Sequence, residues 1–218
     1  MVNTTDNADF IDRISDGLIS IFGKNRFTKL IVTEASIFYY ALLFGNKTNN
    51  IREGKSFSYH IRSGYGAIVS VFFFLIAIET FSLHLVLLRW SNTAAWILTS
   101  LSIYGIIFLF ADFNAARRRP ILVDDNTLYI RIGFRWQVCI PISNISRIEI
   151  GTDTKGNDKN YFKMVLIGSE NVMIKLKTPV KASGLYGMSR TFSRLGLSID
   201  NKEEFINLLN STIKQQTK

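Results

Sequence analysis

The chain has 218 residues, 47% of them hydrophobic and 13% aromatic, with 26 Lys and Arg against 17 Asp and Glu for a formal net charge of +9. The mean hydropathy of +0.16 is high for a soluble chain, and the basic balance calls for an acidic partner such as an anionic membrane surface or a nucleic acid. One cysteine, Cys139, excludes an internal disulfide framework, and two histidines, His60 and His84, are too few for an all-histidine iron site.

In chain order, the first 22 residues carry Asp6, Asp9, Asp12 and Asp16 where a secretory signal places basic residues, so no signal peptide is expected. Phe10, Ile11, Ile14, Leu18, Ile21 and Phe22 recur at helical spacing and predict a short amphipathic helix closed by Gly23. Leu30 to Phe44 is apolar but broken by Thr33, Glu34 and Ser36. It is too short to cross a hydrocarbon core of roughly 30 Å and reads as an interfacial or bundle-packed helix. Asn46 to Lys55 reads as a basic loop.

From Tyr65 to Leu88 the chain is apolar for long enough to span, and Thr93 to Phe110 forms a second run that ends at Asp112. Arg89-Trp90-Ser91-Asn92 between them is a tight turn, so the two runs form a hairpin. Lys47, Arg52, Lys55 and Arg62 precede it and Arg117, Arg118 and Arg119 follow it, whereas only Arg89 lies in the turn. The positive-inside bias then predicts both termini in the cytoplasm.

After Pro120 the period changes to two. Leu128, Ile130 and Ile132, then Val138, Ile140 and Ile142, then Phe162, Met164 and Leu166, then Val172, Ile174 and Leu176 alternate with polar residues. Turn signals at Asp125-Asn126, Gly133, Gly156-Asn157 and Gly168-Ser169 separate them, which predicts an antiparallel sheet or small barrel. Gly184, Gly187 and Gly196 read as further turns, and Cys139 as a buried thiol. Asn201 to Ile213 has the spacing of a final helix, with Asn201 as N-cap and Glu203 and Glu204 in its first turn.

Strands followed by one C-terminal helix is the layout of a pleckstrin-homology-like domain. Val123-Asp124-Asp125-Asn126-Thr127-Leu128-Tyr129-Ile130-Arg131-Ile132-Gly133 and Ile140-Pro141-Ile142-Ser143-Asn144-Ile145 resemble the bacterial branch of that family. Leu176-Lys177-Thr178-Pro179, Leu185-Tyr186-Gly187 and Leu197-Ser198-Ile199-Asp200 are similar to a group of bacterial two-helix integral membrane proteins. The resemblance implies an α+β membrane protein in the bacterial inner membrane: N-terminal helices over 1–64, a transmembrane hairpin over 65–116 (65–88 and 93–112), and a cytoplasmic pleckstrin-homology-like β-barrel or sandwich with a C-terminal helix over 120–218. It implies a fold and a location, not a reaction.

Glu79 lies near mid-span, where a carboxylate costs roughly 2.5–3.5 kcal/mol on insertion scales. It is expected to face the bundle and bond to Ser100, Ser102 or Tyr104. His84 sits about 140° further round the same helix, so partners for both are sought in Glu34 and His60, as a proton-linked or metal-binding cluster. Arg117, Arg118 and Arg119 read as a stop-transfer anchor and, with Arg131, Arg135, Lys175, Lys177 and Lys181, as a face for anionic lipid or a protein partner. No nucleophile motif and no Walker loop is present. The expectation is a non-enzymatic, membrane-anchored binding or scaffold protein, without cofactor or metal and without a nucleic-acid partner, touching inner-leaflet lipid, a partner protein or a second copy. The alternative is a small membrane enzyme or ion-linked transporter using Glu79 and His84.

Overall fold

The computed structural model describes residues 10–23, 25–42, 54–151 and 160–216. The Gly156-Asn157 turn, Lys47, Arg52 and most of the Asn46–Lys55 loop lie outside the described residues. Helices α1 (Phe10–Phe22) and α2 (Arg26–Leu42) are followed by a short strand β1 (Lys55–Phe57) and by the long helices α3 (Tyr65–Leu88) and α4 (Asn92–Arg118). Strands β2 (Ile121–Val123), β3 (Thr127–Ile132), β4 (Trp136–Pro141), β5 (Ile145–Ile150), β6 (Tyr161–Met164), β7 (Val172–Gly184) and β8 (Ser189–Leu197) then lead to α5 (Lys202–Gln216).

Both α3 and α4 are long and apolar enough to cross a membrane, and of their most apolar 18-residue windows 0% and 11% are buried. That separates them from the core helices of a soluble protein. The Ser91 hydroxyl accepts from the Ala94 N–H and starts α4. The second helix runs to Arg118, past the expected end at Asp112. Asn114, Ala115 and Ala116 are compatible with a helix, and the first true breaker is Pro120.

The β region is a mixed eight-stranded sheet in the order β1-β2-β3-β4-β7-β8-β6, with β5 also paired to β7. Contrary to the all-antiparallel expectation, β6 runs parallel to β8. Both edges of the first half of β7 are taken, by β5 through Val172–Leu176 and by β8 through Arg194–Leu197. β6 therefore adds to the outer edge of β8. The register of β7 shifts between Lys175 and Val180, around Pro179, which has no N–H to give a ladder. Its second half turns to pair with β4 as well as β8.

Two strands were not legible as such. Lys55, read as the end of a loop, opens the strand Lys55–Phe57, which pairs with Ile121–Val123, so the segment before the hairpin completes the β domain. Gly196, read as a turn, lies inside β8, where a Cβ would run into the Tyr161 hydroxyl. Alternation packs Leu128, Ile130, Ile140, Ile174 and Leu195 into one core, closed by Phe205 and Leu209 of α5. Phe57 meets Phe205 edge to face at 5.1 Å between centroids. The same alternation turns Cys139 outward between buried Val138 and Ile140, and the thiol is exposed, not buried.

Candidate functional site

The helices and the β domain meet around Asp112, which is wholly buried. The Tyr65 hydroxyl at the start of α3 donates to Asp112 Oδ2, and Arg135 Nη2 reaches the same oxygen at 2.5 Å. Arg135 also donates to the Tyr65 hydroxyl at 3.1 Å and lies over its ring. Burial works against the Arg135 charge, but Asp112 and Tyr65 more than offset it and hold its pKa above the ordinary guanidinium value. Gly133, two residues before, has φ +54° in the tight turn from β3 to β4. Its N–H donates to the Tyr59 hydroxyl at 2.8 Å and its carbonyl accepts from Arg119 Nη1 at 2.9 Å. Arg119 Nη2 donates to Gln137 Oε1 at 3.1 Å. The β3–β4 turn is thus gripped by charged and hydroxyl groups from both long helices and from the segment that precedes them.

Beside this junction lies a cleft of about 460 Å³ between α1 and α2 on one side and the ends of β4, β7 and β8 on the other. Ladder pairing places Gln137, Ser183 and Ser189 in one row across β4, β7 and β8, and Lys181 is two residues from Ser183 on the same face. Ala182 and Phe192 are buried on the opposite face. From α2 come Thr28, Lys29, Val32, Thr33 and Ser36. Among the described residues its lining includes three cationic side chains, Lys29, Arg119 and Lys181, and no carboxylate.

Glu34 ties the cleft's outer lip to the helices. It accepts from the Tyr104 hydroxyl of α4 at 2.9 Å and from the Tyr186 hydroxyl at 3.1 Å. Tyr186 sits in the turn between β7 and β8 with φ 53°, a strained value for a residue with a Cβ, and its N–H donates to Thr33 Oγ1 at 3.2 Å.

The expected cluster of four does not assemble. Glu79 is exposed on the outside of α3 and makes no hydrogen bond or ion pair among the described residues. The half-buried stripe of α3 runs through Val69, Ile76, Thr80, His84 and Leu87, and Glu79 stands about 100° away from Thr80. Tyr104, expected as its partner, serves Glu34 instead. His84 Nδ1 lies 2.7 Å from the Thr99 hydroxyl and its ring stacks edge-on to Trp96 at 5.2 Å. His60 lies before α3, near Asp200 and Arg117. Burial lowers its pKa, with Asp200 opposing and Arg117 reinforcing the shift. Among the described residues no three His, Cys, Asp or Glu side chains gather where they could hold a metal ion.

The basic residues divide. Arg119, read as an outward anchor, is buried at 4% exposure beneath the cleft, and Arg135 is committed to Asp112. Both turn into the junction, Arg119 to the neutral acceptors of Gly133 and Gln137 and Arg135 to the Asp112 carboxylate. Lys175 pairs with Glu149 at 3.0 Å and Lys177 donates to the Ser143 carbonyl at 2.7 Å. Arg117 is exposed and lies over the Phe113 ring, Arg118 is half-buried, and Arg131 lies opposite Gln137 in the β3–β4 ladder.

No protein-family model matches the chain, and neither a curated protein nor a solved structure matches it at a significant level.

Arg135 and Tyr65 converge on one oxygen of Asp112, Oδ2, which suits a joint between the helices and the β domain. The side-chain ammonium groups of Lys29 and Lys181 make no hydrogen bond or ion pair among the described residues, which suits a site for an anion. Sequence reasoning missed both features. The signals it had were a carboxylate at the end of an apolar run, an Arg two residues beyond a turn glycine, and the alternation Lys181-Ala182-Ser183.

Proposed function

We propose that α3 and α4 cross the bacterial inner membrane as a hairpin with both ends in the cytoplasm, and that the β region is a pleckstrin-homology-like module held against the inner leaflet as a non-enzymatic binding or scaffold element. The observation that carries this reading is the outward apolar surface of α3, where Phe74, Ile78 and Phe81 are 65%, 65% and 69% exposed. A surface of that kind is unstable in water and favourable in lipid. The bent sheet closed by α5 supports the module's relationship, with the parallel β6 and the added β1 as its departures. The further apolar exposure of Phe27, Leu30 and Phe38 on α2 supports an interfacial position for that helix.

Arg117 and Arg118 at the end of α4, against Arg89 alone in the turn, support the orientation. Alkaline phosphatase fused in the turn at Trp90 is expected to be active, and fused after Gln216 inactive. The reverse pattern would sink the topology. The reading as an enzyme or transporter needs Glu79 and His84 to meet Glu34 and His60, and no contact among them favours it.

A further inference from the structure

We propose that the cleft between α2 and the β7–β8 hairpin is a binding site for the phosphate-bearing headgroup of an anionic phospholipid drawn from the adjacent leaflet. The inference rests on the membrane reading above and adds a ligand and a place. Arg119 forms a fixed cationic floor, oriented by the Gly133 carbonyl and Gln137. Lys29 and Lys181 stand on opposite walls, one on α2 and one on β7, with no ion pair among the described residues. Ser183 and Ser189, cross-strand neighbours, offer hydroxyls that make no side-chain hydrogen bond among the described residues. Phosphate is the group that such a set of donors recognises: several oxygens, charge, and no donor requirement of its own. The one acid next along α2, Glu34, does not line the cleft and is engaged by two tyrosines.

Two observations choose a lipid over a soluble phosphate. The cleft has apolar sides, from Ile19, Val32, Leu185 and the exposed Met188, which an acyl or glycerol backbone would cover. Its lip is tied through Tyr186 and Glu34 to Tyr104, about 12 Å along α4 from Asp112 at 1.5 Å per residue, so it opens beside the apolar part of the helix and not above it. Ile21, Phe22 and Phe27 lie exposed on the same two helices that wall the cleft.

The test uses the full chain in nanodiscs of phosphatidylcholine containing a minor fraction of phosphatidylglycerol, with lipid retained through detergent exchange counted by native mass spectrometry. The wild type is expected to retain phosphatidylglycerol selectively. Lys29→Gln with Lys181→Gln is expected to weaken that retention by about 30-fold, on the order of fivefold per lysine. Ser189→Glu, which removes no packing and adds a negative charge at the rim, is expected to do the same, whereas Arg147→Gln on β5 leaves retention unchanged. Equal retention in the wild type and both cleft variants would overturn the site, and so would an equal loss in Arg147→Gln. Binding of glycerol phosphate or inorganic phosphate in lipid-free detergent as tight as that of the lipid would overturn the lipid as source. Absence of the wild type from the membrane fraction would instead overturn the hairpin reading itself.

Discussion

Asp112 and Arg135, 23 residues apart, form a 2.5 Å ion pair in which the carboxylate is fully buried and the guanidinium about one-third exposed. The pair joins the second long helix to the turn between β3 and β4, and Tyr65 adds the first helix to the same oxygen. Buried pairs of this kind contribute little net stability, but breaking one side strands the other. The joint therefore acts mainly to hold the β domain in one orientation to the hairpin.

Asp112→Ala is expected to destabilise the detergent-purified chain by about 3–5 kcal/mol, because Arg135 is left without its counter-charge. Asp112→Ala with Arg135→Leu is expected to recover part of that loss. Chemical unfolding of the two variants checks this, and a single variant within about 0.5 kcal/mol of wild type would show that the joint is not needed for folding.

Gly133 and Gly168 both have positive φ, but only Gly133 has a crowded Cβ position, 2.8 Å from Asp112 Oδ1. Gly133→Ala is therefore expected to cost about 1–3 kcal/mol beyond Gly168→Ala, which meets nothing within 4 Å and carries only the conformational cost. Similar melting shifts for both would contradict the close approach to Asp112.

Glu79 makes no hydrogen bond or ion pair among the described residues that its removal would break. Glu79→Leu is expected to favour membrane insertion of α3 by roughly 2.5–3.5 kcal/mol and to leave the unfolding of the purified chain within about 0.5 kcal/mol. Insertion measured by glycosylation mapping, together with unfolding in detergent, separates the two effects. A destabilised purified chain would reveal a partner for the carboxylate, such as a second copy.

His60 gives the fold a pH dependence. Burial lowers its folded pKa below the ordinary imidazole value of 6.5, so below that pH the unfolded chain takes up the proton first. The stability of the neutral form is complete above pH 6.5 and is lost as pH falls through the lowered folded value. His60→Asn is expected to flatten the fall of Tm below pH 6.5 relative to wild type. Parallel profiles for the two proteins would assign the acid sensitivity to other groups.

Local rules in the sequence were enough to place α1 and α3, whereas α2 begins at Arg26, before the expected Leu30, and α4 runs on to Arg118. Period and length alone set α1 at Phe10–Phe22 and α3 at Tyr65–Leu88, because a helix answers to residues three and four apart and to the next breaker. The hairpin turn at Arg89-Trp90 and the alternating strands of β3 and β4 follow from equally short-range patterns. What the tertiary structure decided is everything that depends on which surfaces meet. Lys55–Phe57 becomes a strand only because Ile121–Val123 offers an edge, and β6 adds to β8 because β5 and β8 already occupy both edges of the first half of β7. Arg119 and Arg135 look identical in the sequence to Arg117 and Arg131, yet the first two turn inward where Gly133 and Asp112 wait for a cation. Glu79, the residue whose type demanded a partner, has none among the described residues, and Glu34 has two. Pairing of charges over long sequence distances is set by helix rotation and domain docking, and neither leaves a mark in the spacing of residues.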